Sequence, residues 1–276
     1  MPAAPPVTDS LGTTAPGRRR RPLMLTLCSA LVAALLGVAA LAPLPYSVAQ
    51  PGMTADVLGE HEGEPVISIS GTEVRDTDGE LRMTTIAATS PDARVGIAEL
   101  IAGYAASDRA VMPRDAVYPV GDTTEEIREH GTAQMRESQG AAVEAALVHL
   151  GMEDGDVAVE LRLADVGGPS AGLLFSLGII DLIEGDGNGG GLTGGLTVAG
   201  TGTISPDGTV GAVGGVPLKT QAAHRDGATV FLVPERECGD AKSGLPQGLR
   251  LIPVTTLAGA VADLRALGTG GRVSSC

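Results

Sequence analysis

From Leu23 to Leu44 the chain runs without a charged side chain, LMLTLCSALVAALLGVAALAPL, directly after Arg18, Arg19, Arg20 and Arg21. A helix at about 1.5 Å per residue would carry this run roughly 33 Å, close to the hydrocarbon thickness of a bilayer. The segment therefore predicts a single-pass transmembrane anchor over 23–44, preceded by a basic tail over 1–22. The positive-inside rule keeps the arginines in the cytoplasm and puts everything after Pro45 outside the cell membrane. A cleaved leader is the competing reading, with Ser47-Val48-Ala49 as a small-residue cleavage site. The apolar run exceeds the roughly 7–15 residues of a signal-peptide core, which favours an uncleaved anchor. On either reading the main body is exported.

The charge pattern separates the two parts. The first 44 residues carry +3, from four arginines and Asp9, so the remainder holds −17 of a net −14. An acidic body has no footprint for a phosphate backbone. The aromatics are Tyr46, Tyr104, Tyr118, Phe175 and Phe231, too few for a base-stacking platform. Nucleic acid is therefore not an expected partner. With 276 residues and 43% hydrophobic side chains, the chain suffices for one domain plus extensions.

Residues 45–64 read as a Pro/Gly/Glu-containing linker, and 65–276 as one domain with its core at 152–268. Val66–Ser70 and Leu81–Ala88 alternate apolar and polar residues and predict strands joined by a turn at 76–79. Ile97–Ala106 predicts a helix. A threonine cap at Thr124, acidic residues behind it and a stop at Gly151 predict a long helix. Val157–Leu163 predicts a strand and Ser170–Ile183 a helix apolar nearly all round, hence buried. Leu196–Val213 predicts two strands around Pro206-Asp207-Gly208. Pro217–Arg225 predicts a short helix, Thr229–Val233 a buried strand and Thr255–Leu267 a terminal helix. The order is a mixed α+β one.

Several motifs fail their context. Gly185, Gly187 and Gly190 match G-x-G-x-x-G, but they follow a helix rather than a strand. Glu184, Asp186 and Asn188 alternate like a calcium loop that lacks its twelfth-position Glu. No G-x-x-x-x-G-K-[ST] occurs, so the chain holds no ATP motor of that kind. The histidines His61, His130, His149 and His224 have no zinc spacing. No metal or cofactor is expected. Cys238 and Cys276 can pair in an oxidising space, or stand as one buried thiol and one terminal thiol, with pairing slightly favoured.

Two features remain. Gly167-Gly168-Pro169-Ser170-Ala171-Gly172 lies between a strand and a buried helix. Small residues there admit a substrate backbone, and the helix start offers N–H groups to an oxyanion. Ser170 fits a nucleophile at such a place; it equally fits an ordinary helix cap. The second feature is Lys219, one of only two lysines against 17 arginines. Lys242 lies in a polar loop, whereas Lys219 stands in the apolar run Val216-Pro217-Leu218-Lys219. Desolvation can bring a lysine down to the range of a general base, and Ser-Lys pairs are a known variant of nucleophile and base.

Four blocks in one order resemble the proteolytic domain of Lon proteases. They are Gly-Pro-Ser-Ala-Gly at 168–172, Leu-Thr-Gly-Gly-Leu at 192–196, Gly-Gly-Val-Pro-Leu-Lys at 214–219 with Ala-Ala-His-Arg at 222–225, and Phe-Leu-Val-Pro at 231–234. Weaker similarity, at Leu81–Thr85 and Met135–Gly151, extends to exported, membrane-anchored Lon-like proteins. The resemblance implies the α+β fold of that domain, like domain 2 of ribosomal protein S5. It implies a serine endopeptidase with Ser170 as nucleophile and Lys219 as general base. Thr193 would support the lysine, and Gly168 and Ala171 would lie at the oxyanion site. It further implies protein or peptide substrates and a hexameric ring; with no ATP motor in the chain, cleavage is expected to be ATP-independent and limited to loose segments. Two departures stand out. Gly167 replaces the acidic residue the family carries three before the serine. About 18 residues separate Gly151 from the serine motif, too few for the PDZ domain of anchored relatives. A catalytically silent envelope scaffold with the same fold is the alternative, and a small-molecule esterase shares the nucleophile.

Overall fold

Alternation along three buried strands decides the architecture. Val198, Leu232 and Ile252 face one core, while Ala199, Phe231, Val233 and Leu251 face another. A strand whose two sides are both apolar must be covered on both faces. The structure is a computed structural model that describes residues 20–121, 123–152, 155, 157–163 and 166–276. The basic tail through Arg19 lies outside the described residues.

Six strands form the main sheet: β1 (Tyr46–Asp56), β2 (Glu80–Ala88), β3 (Ala110–Pro113), β4 (Thr197–Gly200), β5 (Val230–Pro234) and β6 (Arg250–Val254). Their spatial order is β6-β5-β4-β2-β1-β3. The half from β6 to β2 is parallel, and β1 pairs antiparallel with both β2 and β3. The helices are α1 (Arg20–Leu41), α2 (Ile97–Ala105), α3 (Thr124–Leu150), α4 (Gly172–Ile183), α5 (Val216–Arg225) and α6 (Leu257–Gly268). Residues of α3, α4 and α6 share the larger core with Leu81, Met83, Val198, Leu232 and Ile252. The smaller core on the opposite face joins α5, through Val216 and Ala223, to Ala199, Phe231 and Leu251. The fold is mixed α+β, as expected from the element order.

Most elements follow the sequence pattern. α3 starts with a capping box, Thr123 and Glu126 exchanging bonds across the first turn, one residue before the expected Thr124 cap. It ends at Gly151 in the left-handed conformation, with φ 67°. The turn at 205–208 closes where Pro206-Asp207-Gly208 suggested, with Gly208 N–H donating to the Ser205 carbonyl at 2.8 Å.

Three expectations need correction. Segment 45–64 is not a linker, because Tyr46–Asp56 lies between β2 and β3 inside the main sheet. Pro51 and Gly52 hid it: both sit at a register break between Pro51 and Thr54. A Cβ on Gly52 would fall within 3 Å of the Thr85 backbone, so the strand bulges there and needs glycine. Second, Ile67–Ser70 does not pair with β2; it pairs antiparallel with Ala158–Leu161 in a separate two-stranded sheet. Third, β6 went unforeseen. Its Pro253 breaks a strand pattern, and β6 tolerates it as an edge strand.

Among the described residues, no helix is long and apolar enough to cross a membrane. The side chains of α1 are described for residues 22–38, and Leu23, Leu27, Leu31, Leu35 and Val38 there are all exposed.

Candidate active site

Ser170 reaches the site from one face of the sheet and Lys219 from the other. Helix α4 is buried from Gly172 to Leu182. Gly172 is required at its start, since a Cβ would lie 2.7 Å from Ile204 Cγ2 and 2.9 Å from Ser138 Oγ. The turn before α4 is tied on two sides. Gly168 N–H donates to the Gly131 carbonyl (3.1 Å), and Ser138 Oγ donates to the Pro169 carbonyl (3.0 Å), both from α3. On the other side, Gly202 N–H donates to the Ser170 carbonyl at 2.9 Å.

These bonds separate the readings of Ser170. The N-cap position of α4 falls on Ala171, and no side chain caps the helix. Ser170 is thus not a capping serine. Its hydroxyl makes no hydrogen bond to a described residue, and the residue is half-buried. A cavity of about 640 Å³ reaches the start of this turn, lined by Gly167, Gly168, Leu163, Val166, Met135 and Ile127 among others, though Ser170 and Lys219 do not line it. That volume suits a segment of peptide.

On the opposite face, α5 begins after Gly215, whose φ of 71° favours glycine. A Cβ at Gly215 would also strike Ile86 Cγ2 at 2.8 Å. Lys219 lies on the buried side of α5, 3% exposed, and its Nζ donates to Thr201 Oγ1 at 2.9 Å. Thr201 is fully buried just past the end of β4, and its hydroxyl donates onward to the Ser170 carbonyl at 3.2 Å. One hydroxyl at the carboxyl end of a central strand therefore joins the serine turn to the lysine helix. Burial pulls Lys219 down to about 8, and the charge of Glu237 partly opposes that fall.

The expected supporting residues divide. Thr193, on the α4–β4 connection, is buried, but its hydroxyl donates to the Asp78 carbonyl just ahead of β2, so the hydroxyl at the lysine is Thr201 instead. Gly168 does not offer its N–H to an oxyanion, because that group is spent on Gly131. The N–H groups of Ser170 and Ala171 have no partner among the described residues. Sequence reading missed Thr201. Its signal is a hydroxyl between two glycines, Gly200 and Gly202, at the carboxyl end of a parallel strand, where open α/β sheets place their ligands. Cys238 and Cys276 are joined in a disulfide with Cα atoms 5.4 Å apart. Among the described residues no group of three or more His, Cys, Asp or Glu side chains could hold a metal ion.

Comparison with known families gives a match to a proteolytic domain. The family model of the Lon protease (S16) C-terminal proteolytic domain covers residues 121–263, slightly more than half the chain. The matched stretch holds Ser170, Thr201 and Lys219; β1, β2 and β3 precede it.

Proposed function

The chain belongs to the Lon protease (S16) proteolytic-domain family and so carries a Lon-type serine peptidase domain, and on that premise we propose a Ser-Lys endopeptidase that works without ATP. The observation that carries this reading is the chain from Lys219 Nζ through Thr201 Oγ1 to the Ser170 carbonyl. It fixes the amine beside the serine turn. In the first step, neutral Lys219 takes the proton of the Ser170 hydroxyl as Oγ attacks a peptide carbonyl. The N–H groups of Ser170 and Ala171 stabilise the oxyanion. Protonated Lys219 then gives its proton to the departing amine, leaving an acyl-enzyme. Water, deprotonated by the same lysine, releases the product acid and restores Ser170. With no nucleotide-binding loop in the sequence, loose or unfolded segments are the substrates.

We also place the domain outside the cytoplasmic membrane, held by the segment 23–44. The uncharged run, the arginines before it and the disulfide support this. Leader cleavage after Ala49 would cut β1 within Ser47, Val48 and Ala49, all buried in the main sheet, which favours an anchor that stays attached. Assembly into a hexameric ring belongs to the same proposal, by analogy with the family.

The test is cleavage of an unstructured protein such as casein by the detergent-solubilised full chain without nucleotide. Wild type is expected to cleave it and Ser170→Ala to leave it intact. Equal cleavage by both would reject the mechanism; none by either would favour the silent scaffold.

A further inference from the structure

Helix α2 turns an apolar face outward, at the foot of the segment 23–44. At about 100° per residue Ile97, Ile101 and Tyr104 fall on one stripe, and Glu99, the charged residue of the helix, falls on another side. The three are 43%, 63% and 87% exposed. The inner side carries Gly103, where a Cβ would lie 3.1 Å from Val111 Cγ2 on β3 and 3.2 Å from Val48 Cγ1 on β1. The helix is thus fixed to the main sheet by its small side and shows its large apolar side to the outside.

The connections decide where this face sits. Residues 42–45 alone separate the end of α1 at Leu41 from the start of β1 at Tyr46. Such a link reaches about 18 Å at most. Within it, Leu44 N–H donates to the carbonyl of Val95, two residues ahead of α2, at 3.0 Å. Arg114 N–H donates to the Pro45 carbonyl at 3.1 Å. α1 and α2 also touch. With the segment 23–44 in the bilayer, the start of α2 lies at headgroup depth. The local charge differs from that of the acidic body: residues 94–114 hold Arg94, Arg109 and Arg114 against Glu99 and Asp108. Arg94 and Arg114 line a cavity of about 510 Å³ together with Leu44 and Tyr46, and neither guanidinium bonds to a described residue. Asp92, the carboxylate in that cavity, accepts from the Thr124 hydroxyl.

We propose that this face docks on the anionic surface of the membrane. Ile97, Ile101 and Tyr104 enter the interface, and Arg94 and Arg114 meet the phosphates of acidic lipids. The proposal rests on 23–44 being the anchor. A single spanning helix leaves the domain free to tilt; a second contact at α2 holds one orientation.

The chain has no tryptophan, so Tyr104→Trp supplies a single fluorophore and keeps an aromatic at the site. The full-length variant is reconstituted in vesicles of phosphatidylcholine and phosphatidylglycerol, with and without bromine on the acyl chains. Bromolipid is expected to quench most of the emission, and acrylamide little of it. Val148→Trp, at a position 63% exposed on α3, is expected to show the reverse. Adding Arg94→Gln and Arg114→Gln to Tyr104→Trp should lower the docked-to-free ratio by roughly fivefold per arginine in these vesicles, and change little in phosphatidylcholine alone. Emission open to acrylamide and untouched by bromolipid would overturn the proposal. Emission shielded from both would overturn it too, since a second copy of the chain would then cover the face. Extraction with alkaline carbonate reads the anchor separately. Quenching in a chain that carbonate strips from the vesicles would keep the docking and remove the anchor; retention without quenching would keep the anchor and remove the docking.

Discussion

Lys219 and Asp181 are the two described ionisable groups that burial displaces furthest, and only one of them is tied to the turn that carries Ser170. Asp181 lies in α4, fully buried, and its carboxyl is pushed up from 3.8 to about 6. Lys219 is brought down to about 8 by the same cause. Asp181 Oδ1 accepts from Leu192 N–H at 2.8 Å and so pins the loop after α4; Oδ2 has no partner. Lys219 instead meets a hydroxyl that contacts the serine turn. The pair teaches that a displaced pKa marks burial, and that the neighbour decides whether the group does chemistry. One end of α4 starts at the Ser170 turn; the other end pins the loop that follows the helix.

The strongest way to break this comparison is to remove each charge in turn. Lys219→Ala should lower kcat for casein cleavage by roughly 10²–10⁴-fold, the usual span for losing a general base. Asp181→Asn should leave kcat within about twofold, since its loop does not touch the base. Comparable losses in both would mean that the two ends of α4 act as one unit.

A smaller effect is expected from Thr201→Val, which removes the hydroxyl between the layers and keeps the volume. It leaves the amine without its described partner and the Ser170 carbonyl with Gly202 N–H alone. A fall in kcat of about 10–100-fold with little change in KM is expected, because the base is still present but less well placed. An unchanged kcat would reduce Thr201 to packing.

The smallest effect concerns stability. The folded-state pKa of Asp181 lies above its unfolded value, so folding favours the protonated form. Its contribution is intact below about pH 4 and is lost as pH rises through about 6. Asp181→Asn should therefore match wild type in urea melts near pH 4. By pH 7 it should be more stable by about 1–3 kcal/mol, since each tenfold change in the protonation equilibrium is worth roughly 1.4 kcal/mol. A gap of the same size at both pH values would show that the titration of Asp181 is not its source.

The two regions also differ in how much the sequence disclosed. Ser170 and Lys219 stand out in the sequence because their surroundings are odd: a serine in a run of glycines, and a lysine in an apolar run of a chain with one other lysine and 17 arginines. Helices α3 to α6 were legible from apolar spacing and caps. Thr201 was not, because a threonine beside a strand is ordinary until α4 and α5 close on it from opposite faces of the sheet. Thr193 drew attention through the motif around it, but its hydroxyl is committed to Asp78. β1 was concealed by Pro51 and Gly52, whose bulge is visible only once β2 lies alongside. Local chemistry can be read residue by residue, whereas these contacts depend on which layers the sheet brings together.

The most direct test of the central claim is covalent capture of the serine as a function of pH. A fluorophosphonate probe is incubated with the full chain and the adduct located by peptide mass spectrometry. The account predicts a single adduct on Ser170, a labelling rate that climbs with pH through a midpoint near 8, and loss of labelling in Lys219→Ala. An adduct on another residue, or equal labelling of Ser170 with and without the lysine, would contradict it.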